Sequence, residues 1–355
     1  MASYPQNPYS VATNTKEEAT AYLARIKLPE TLLASPPTLQ LLSTLFLAQL
    51  ENVPKDTSPL HVPVAAWSGP SAPIVLGSSF EGMPVGALAH DLIVKSRKGA
   101  FCFSINATLA AFLRYFGFRV SEMVTRCYKQ LGENPETHPL GWHWGTITHE
   151  TLVVDWDGSD GRYLVDGAWG PWNQTSPPGP YARRIKLENG NVVPGLNSYE
   201  AFQVRYEPLP LSPWMPQPID SIPGWTLSRY ITPVGIKIAY PITSDTPGYW
   251  TPLFHFLPIS IPVLDFALYH HFSATHALAS FTAFWLITKV IPNSGGARRS
   301  MMYAEKEGMP RRAKVYTTGG EESLGSQEGR DIEWVDMETG AMQAWLAKEF
   351  GYKFD

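Results

Sequence analysis

Cysteine is scarce: two in 355 residues cannot make a disulfide framework, so the fold has to rest on a packed core and a reducing, cytoplasmic compartment is expected. Neither sign of charge is in excess. Twenty-eight Lys+Arg against 32 Asp+Glu leave a net charge of −4, which gives no basic field for nucleic acid. Long apolar runs are missing as well. The most apolar stretch, residues 277–291, is broken by Ser280, Thr282, Thr288 and Lys289 and falls short of the roughly 20 apolar residues of a membrane span. It is read as buried strand, and no membrane partner is expected. The opening Met1-Ala2-Ser3-Tyr4-Pro5 has neither the basic nor the apolar region of a secretory signal. Gly-x-Gly-x-x-Gly, Gly-x-x-x-x-Gly-Lys-Ser/Thr and Gly-x-Ser-x-Gly are all absent, which removes written support for dinucleotide, nucleoside-triphosphate and serine-hydrolase chemistry. His138, His143 and His149 lie close together, but neither His-Glu-x-x-His nor a closely spaced cysteine pair accompanies them, so no metal is expected.

What is present is ordinary globular composition, 44% hydrophobic and 17% charged, in a chain long enough for two or three packed sub-domains. Thr15-Lys16-Glu17-Glu18 has capping-box spacing and predicts a helix to about Lys27. Ser35-Pro36-Pro37 offers an N-cap with proline at the first helical position, predicting a second helix to about Glu51. Residues 57–86 are rich in Pro, Gly and Ser and read as loop, followed by a short helix over about 85–95. From Phe118 onward, apolar runs at 120–128, 148–155, 162–168, 182–187 and 201–206 alternate with turn residues. Such spacing argues for a small antiparallel barrel or sandwich. Residues 331–350 return to helical spacing.

One stretch concentrates the chemistry. Arg97-Lys98-Gly99-Ala100-Phe101-Cys102-Phe103-Ser104-Ile105-Asn106 runs into apolar positions at Ile105, Leu109, Phe112, Leu113 and Phe116, the stripe of an amphipathic helix that Gly117 stops. A cysteine at a helix N-terminus meets unpaired N–H groups and the positive dipole end, which favour thiolate. From this stretch alone a buried cysteine that merely packs is the readier reading. Downstream, His149 and Asp166 each touch a strand-like run, in Thr148-His149-Glu150-Thr151-Leu152-Val153-Val154 and Arg162-Tyr163-Leu164-Val165-Asp166-Gly167-Ala168-Trp169-Gly170. Cys127 lies in an apolar run with no acid–base partner nearby and is read as structural. Arg97 reads either as a surface anchor or as a brace for the loop before Cys102.

These three segments together resemble the arylamine N-acetyltransferase family, in which Arg-x-Gly-Gly-x-Cys-x-Glu opens a helix, a His begins a hydrophobic strand, and Tyr-Leu-Val-Asp-Val-Gly-Phe-Gly closes the site. The chain departs from that pattern at Ala100, at Ser104, and at Pro54-Lys55-Asp56-Thr57-Ser58, where the family usually continues Pro-Phe-Glu-Asn-Leu. The resemblance implies a catalytic triad of Cys102, His149 and Asp166 in a cysteine-protease-like arrangement. Phe101 and Phe103, flanking the nucleophile, are assigned to substrate contact. The fold implied is α/β (α+β): an N-terminal helical bundle over 1–117, a central antiparallel β-barrel over 118–224 carrying His149 and Asp166, and a C-terminal α/β lid over 225–355. The activity implied is acetyl transfer from acetyl-CoA, or another acyl-CoA, to an arylamine or arylhydrazine nitrogen through an acyl-cysteine, with no permanently bound cofactor and a monomeric enzyme. A cysteine hydrolase or transglutaminase-like enzyme shares the Cys-His-Asp order. A binding protein of the same fold with weakened turnover accounts for the departures beside Cys102.

Overall fold

Residues 13–79, 90–168, 184–218, 221–233, 235–259, 261–276, 279, 281–318 and 332–354 are described by the computed structural model. Trp169 and Gly170, residues 80–89 and residues 319–331 lie outside them. The first helix, α1 (Lys16–Arg25), starts as its sequence predicts, with the Thr15 side chain accepting from Glu18 N–H and Glu18 returning to the Thr15 N–H at 2.8 Å. The next helix, α2 (Leu39–Asn52), is capped by Thr38 and not by Ser35: the Thr38 hydroxyl accepts from the Leu41 N–H at 3.1 Å. Ser35 instead follows a short 3-10 segment, Glu30–Ala34. The prolines between them carry an extended link.

A two-residue strand, β1 (Lys55–Asp56), a π turn at Asp91–Lys95 and then α3 (Cys102–Tyr115) complete the N-terminal part. Every residue of α3 from Cys102 to Leu113 is buried, Ser104, Asn106 and Thr108 included. The predicted one-sided stripe is therefore only part of its contacts. A helix covered all round is a core helix, and α3 lies between α1 and the strands β2 (Arg119–Tyr128) and β3 (Trp144–Asp155). It ends where expected: Gly117 adopts φ +84°, and Phe118 N–H returns to Leu113 O, which satisfies carbonyls of the last turn.

The chain continues through β4 (Tyr163–Val165), β5 (Ile185–Lys186), β6 (Val192–Pro194), β7 (Ala201–Pro208), β8 (Pro223–Ile231) and β9 (Tyr249–Phe256). These form one antiparallel sheet in the order β5-β4-β3-β2-β9-β8-β7-β6. Its two edge strands are consecutive in sequence, and Asn191 Nδ2 donates to Lys186 O at 2.9 Å across the turn between them. The sheet is thus a nearly closed barrel, with Met123, Cys127, Val153, Phe202, Leu227 and Phe254 among the side chains filling it. It extends past the expected boundary at residue 224, which falls within β8. Helix α4 (Val263–Thr275) then leads to β10 (Phe284–Val290), β11 (Arg298–Ala304), β12 (Arg312–Thr318), β13 (Glu333–Asp336) and α5 (Thr339–Phe350). Residues 333–336 are strand where helix was expected, because they pair with β12; helix begins only at Thr339.

The second sheet, β1-β10-β11-β12-β13, takes its first strand from the N-terminal part. A hub forms there. Asp56 N–H donates to Ala100 O at 2.7 Å, and the Asp56 carboxylate accepts from Trp285 Nε1 at 3.2 Å and Tyr352 OH at 2.8 Å. Tyr352 OH in turn accepts from Gly99 N–H at 3.0 Å. A Cβ on Gly99 would lie 2.3 Å from Pro54 O, so the close approach needs glycine. The loop before Cys102 is therefore held by the C-terminal part of the chain. A buried ion cluster ties the two sheets together: Arg298 on β11 donates to both oxygens of Glu200 at 2.9 and 3.2 Å, with Arg229 of β8 3.6 Å away.

Candidate active site

A bulge in β3 arranges the site. Ile147 and His149 pair with the consecutive residues Arg126 and Thr125 of β2, leaving Thr148 as the extra residue; such bulges re-aim side chains. Thr148 O turns toward Cys102, whose Sγ lies 3.7 Å away as donor. His149 points to the barrel side, its ring 5.6 Å from that of Phe254 and its Nε2 2.5 Å from Asp166 Oδ2. Asp166 follows β4 directly, and its Oδ1 accepts from Asn106 Nδ2 at 3.0 Å and from Ala168 N–H at 2.9 Å. Cys102 of α3 therefore touches β3 at Thr148, the residue before His149, while His149 pairs with Asp166 from the end of β4; the three are 0%, 1% and 0% exposed.

Asn106 is the clip that sequence reading passed over. Its Nδ2 also donates to Glu150 O at 2.5 Å, and its Oδ1 accepts from Gly167 N–H at 2.8 Å. One side chain thereby fixes β3 and the Asp166 turn against the first turns of α3. Its position four residues after Cys102 was the available signal, since both then face the same side of the helix. Arg97 contributes through its backbone: at φ +54° its carbonyl accepts from Arg25 Nη2 at 3.1 Å, while Arg25 Nε donates to Ile93 O at 2.8 Å. Arg25, a buried guanidinium in α1, braces the approach to Cys102, and nothing in its local sequence marks it. Phe101 and Phe103 are fully buried, with rings 4.9 and 6.2 Å from that of His270 on α4 and with Phe281 5.6 Å from Phe101. Cys127 packs in the barrel, where it accepts from Thr148 Oγ1 at 3.8 Å.

The thiol is not acidified in this closed arrangement, contrary to the expectation from the helix N-terminus. Burial pushes Cys102 well above the usual thiol range, and Glu150 and Asp166 add to that; Lys55 and the Glu150 N–H act in the other direction. The magnitudes explain the outcome. A helix terminus contributes about 0.3–2 kcal/mol, whereas complete burial displaces ionisation by up to about 3–5 pH units, each worth about 1.4 kcal/mol.

Glu150 is the second carboxyl of the site, 1% exposed. Among the described residues neither of its carboxyl oxygens has a hydrogen-bond partner. Burial, then Glu122 and Asp166, raise its pKa well above the ordinary carboxylate range, with Arg114 opposing. A carboxyl whose folded-state pKa is raised adds stability below its unfolded value of about 4.3, and that stability is lost as pH rises through the folded value. Glu150→Gln removes the slope. The variant is expected to exceed the wild type by at least about 1 kcal/mol at pH 8 and to gain less at pH 5. Urea midpoints at the two pH values measure this, and equal gains at both would refute a raised Glu150.

Among the described residues there is no group of His, Cys, Asp and Glu able to hold a metal, and no helix long and apolar enough to cross a membrane. A family model described as N-acetyltransferase matches residues 86–187, the span that carries Cys102, His149 and Asp166. The chain is 26% identical over 265 residues to the arylamine N-acetyltransferase of Mycobacterium tuberculosis, covering 74% of this chain and 71% of that protein. It is 27% identical over 230 residues to that of Mycolicibacterium smegmatis, covering 64% and 67%. In structure it is similar to Mycobacterium marinum arylamine N-acetyltransferase in complex with CoA, with a TM-score of 0.57 at 22% identity over 94% of this chain and 92% of that one.

Proposed function

We propose that this chain, similar to arylamine N-acetyltransferases in sequence over 265 residues and in fold, moves an acetyl group from acetyl-CoA to the nitrogen of an arylamine or arylhydrazine through acyl-Cys102. The observation that supports the reading is the buried His149–Asp166 pair beside Thr148, whose carbonyl lies 3.7 Å from Cys102 Sγ, with Asn106 clipping α3 to β3 and to Asp166. The Mycobacterium marinum relative has been solved with CoA, which supports a CoA thioester as donor.

In the first half-reaction Cys102 loses its proton to His149. With Nε2 engaged by Asp166, Nδ1 is the nitrogen that takes it. The thiolate attacks the thioester carbonyl, the C–S bond to CoA breaks, and the imidazolium returns the proton to the departing CoA thiolate. In the second, the amine nitrogen attacks the acyl-cysteine carbonyl, gives its proton to His149, and the C–S bond to Cys102 breaks to release the amide and regenerate the thiol. Asp166 keeps the imidazole oriented and stabilises its charged form. Forming thiolate and imidazolium together keeps the net charge of the pocket unchanged, which lessens the opposition that burial offers to a lone thiolate.

Intact-protein mass spectrometry tests this directly. Incubated with acetyl-CoA and no amine, the wild type is expected to gain one acetyl group on Cys102, and adding an aminobenzoate or arylhydrazine is expected to discharge it to the nitrogen. Release of acetate without amine would mark a hydrolase. No acyl-enzyme with acetyl-, propionyl- or malonyl-CoA would leave the fold without the activity.

A further inference from the structure

Lys55 stands at the family departure Pro54-Lys55-Asp56, and its side chain runs inward. It is 3% exposed. β1 places it opposite Thr288 of β10 on one side and, through a parallel bridge, beside Ala100 on the other, two residues ahead of Cys102. Its Nζ lies 5.8 Å from the centroid of Phe281, whose ring packs 5.6 Å from Phe101. With Gly167, the residue after Asp166, it lines a cavity of about 10 Å³, room for one water at most. A lysine so placed cannot send its amine to bulk solvent, as surface lysines do.

We propose that Lys55 supplies the buried positive charge that stabilises the Cys102 thiolate. The inference rests on the acyl-cysteine reading above and gives that site a component outside the triad. The charged and titratable groups around the thiol are Lys55 from β1, Cys127 from β2, His149 and Glu150 from β3, Asp166 after β4, and His270 from α4, which reaches it through Phe101 and Phe103. Glu150 and Asp166 oppose a thiolate, and Lys55 opposes them. Burial lowers the pKa of Lys55 itself, with Cys102, Asp166 and Cys127 opposing that shift. Lys55 and Cys102 are both buried, where the coupling of two charges is far stronger than on a surface.

A purely packing role predicts something different. Methionine has nearly the stem of lysine without its charge, so it keeps the packing and spares the cost of burying an ammonium. Lys55→Met is therefore expected to fold. In the full-length protein, the rate of Cys102 alkylation by iodoacetamide at pH 8 is expected to fall at least about tenfold in Lys55→Met, the loss of thiolate that one pH unit represents, and to stay within about threefold of the wild type in Lys55→Arg. For acetyl transfer near pH 7, kcat is expected to fall at least about tenfold with the KM for acetyl-CoA within about threefold. A folded Lys55→Met protein that alkylates at the wild-type rate overturns the proposal. A second measurement needs no change at Lys55. In His149→Ala, where no imidazolium is present, the ratio of iodoacetate to iodoacetamide reactivity at Cys102 is expected to exceed several-fold that of a cysteine peptide, because a buried cation draws the anionic reagent; a ratio equal to the peptide's overturns it equally. Neither alkylation readout depends on turnover, so an alkylation shift without any acyl-enzyme would sink the proposed activity and leave the charge assignment standing.

Discussion

Cys102→Ala is expected to fold and to lose acyl transfer by more than about a thousandfold, since removing the nucleophile of a triad removes nearly everything the triad does. Folding should survive because the change deletes one atom from a fully buried site. The transfer and cavity terms for one small apolar group come to about 1 kcal/mol, and Asn106 still clips α3 to β3 and to the Asp166 turn. Cys127→Ala is the control. That side chain lies in the barrel core, so it is expected to lose comparable stability and to keep turnover. Circular-dichroism melts together with an amine-acetylation assay separate the two. A folded Cys102→Ala protein that still acetylates amines would end the acyl-cysteine reading.

Legibility followed the range of the interactions involved. Elements set by local rules were written plainly: the capping box of α1, the Gly117 stop of α3 and the runs that became β2, β3, β4, β5 and β7. Elements set by distant partners were not. Glu333–Asp336 is strand because β12 lies beside it, and Lys55–Asp56 is strand because β10 passes there, more than two hundred residues later. The same division holds at the site. Cys102, His149 and Asp166 sit in motifs that can be read by eye, whereas Arg25 and Asn106 act through hydrogen bonds to backbone atoms of other elements.

The acidity of the thiol shows how a correct local rule loses to a larger distant one. The helix N-terminus does point at Cys102, but the barrel strands and the second sheet enclose it, and their desolvation outweighs the dipole. Two features of this chain bear on that balance. Glu150 places a carboxyl within a run of apolar strand residues, and Lys55 places an amine where the family pattern has phenylalanine. Both lie next to residues of the proposed mechanism, and when ionised they act on Cys102 in opposite directions.

Asp166→Asn should be the sharpest test of the mechanism, because it changes charge and proton placement with almost no change in shape. Asp166 is fully buried and accepts from His149 Nε2, Asn106 Nδ2 and Ala168 N–H. Asparagine has one acceptor oxygen for these donors, and its amide has to face one of them. If the oxygen keeps Asn106 and Ala168, the amide N–H points at His149 Nε2 and forces the ring proton onto Nδ1, the nitrogen that has to accept from Cys102. The alternative flip sets the amide against the Asn106 and Ala168 donors and loosens the clip. In the serine-protease template the same substitution costs about 10⁴ in kcat through the wrong tautomer. A loss of that order is expected here in the acetylation of Cys102 by acetyl-CoA, measured by single-turnover mass spectrometry, with the KM for acetyl-CoA little changed. Asp166→Asn within about tenfold of wild type, the equivalent of about 1.4 kcal/mol in barrier, would show that His149 reaches its working tautomer without the carboxylate, and the assignment of Asp166 to the triad would fall.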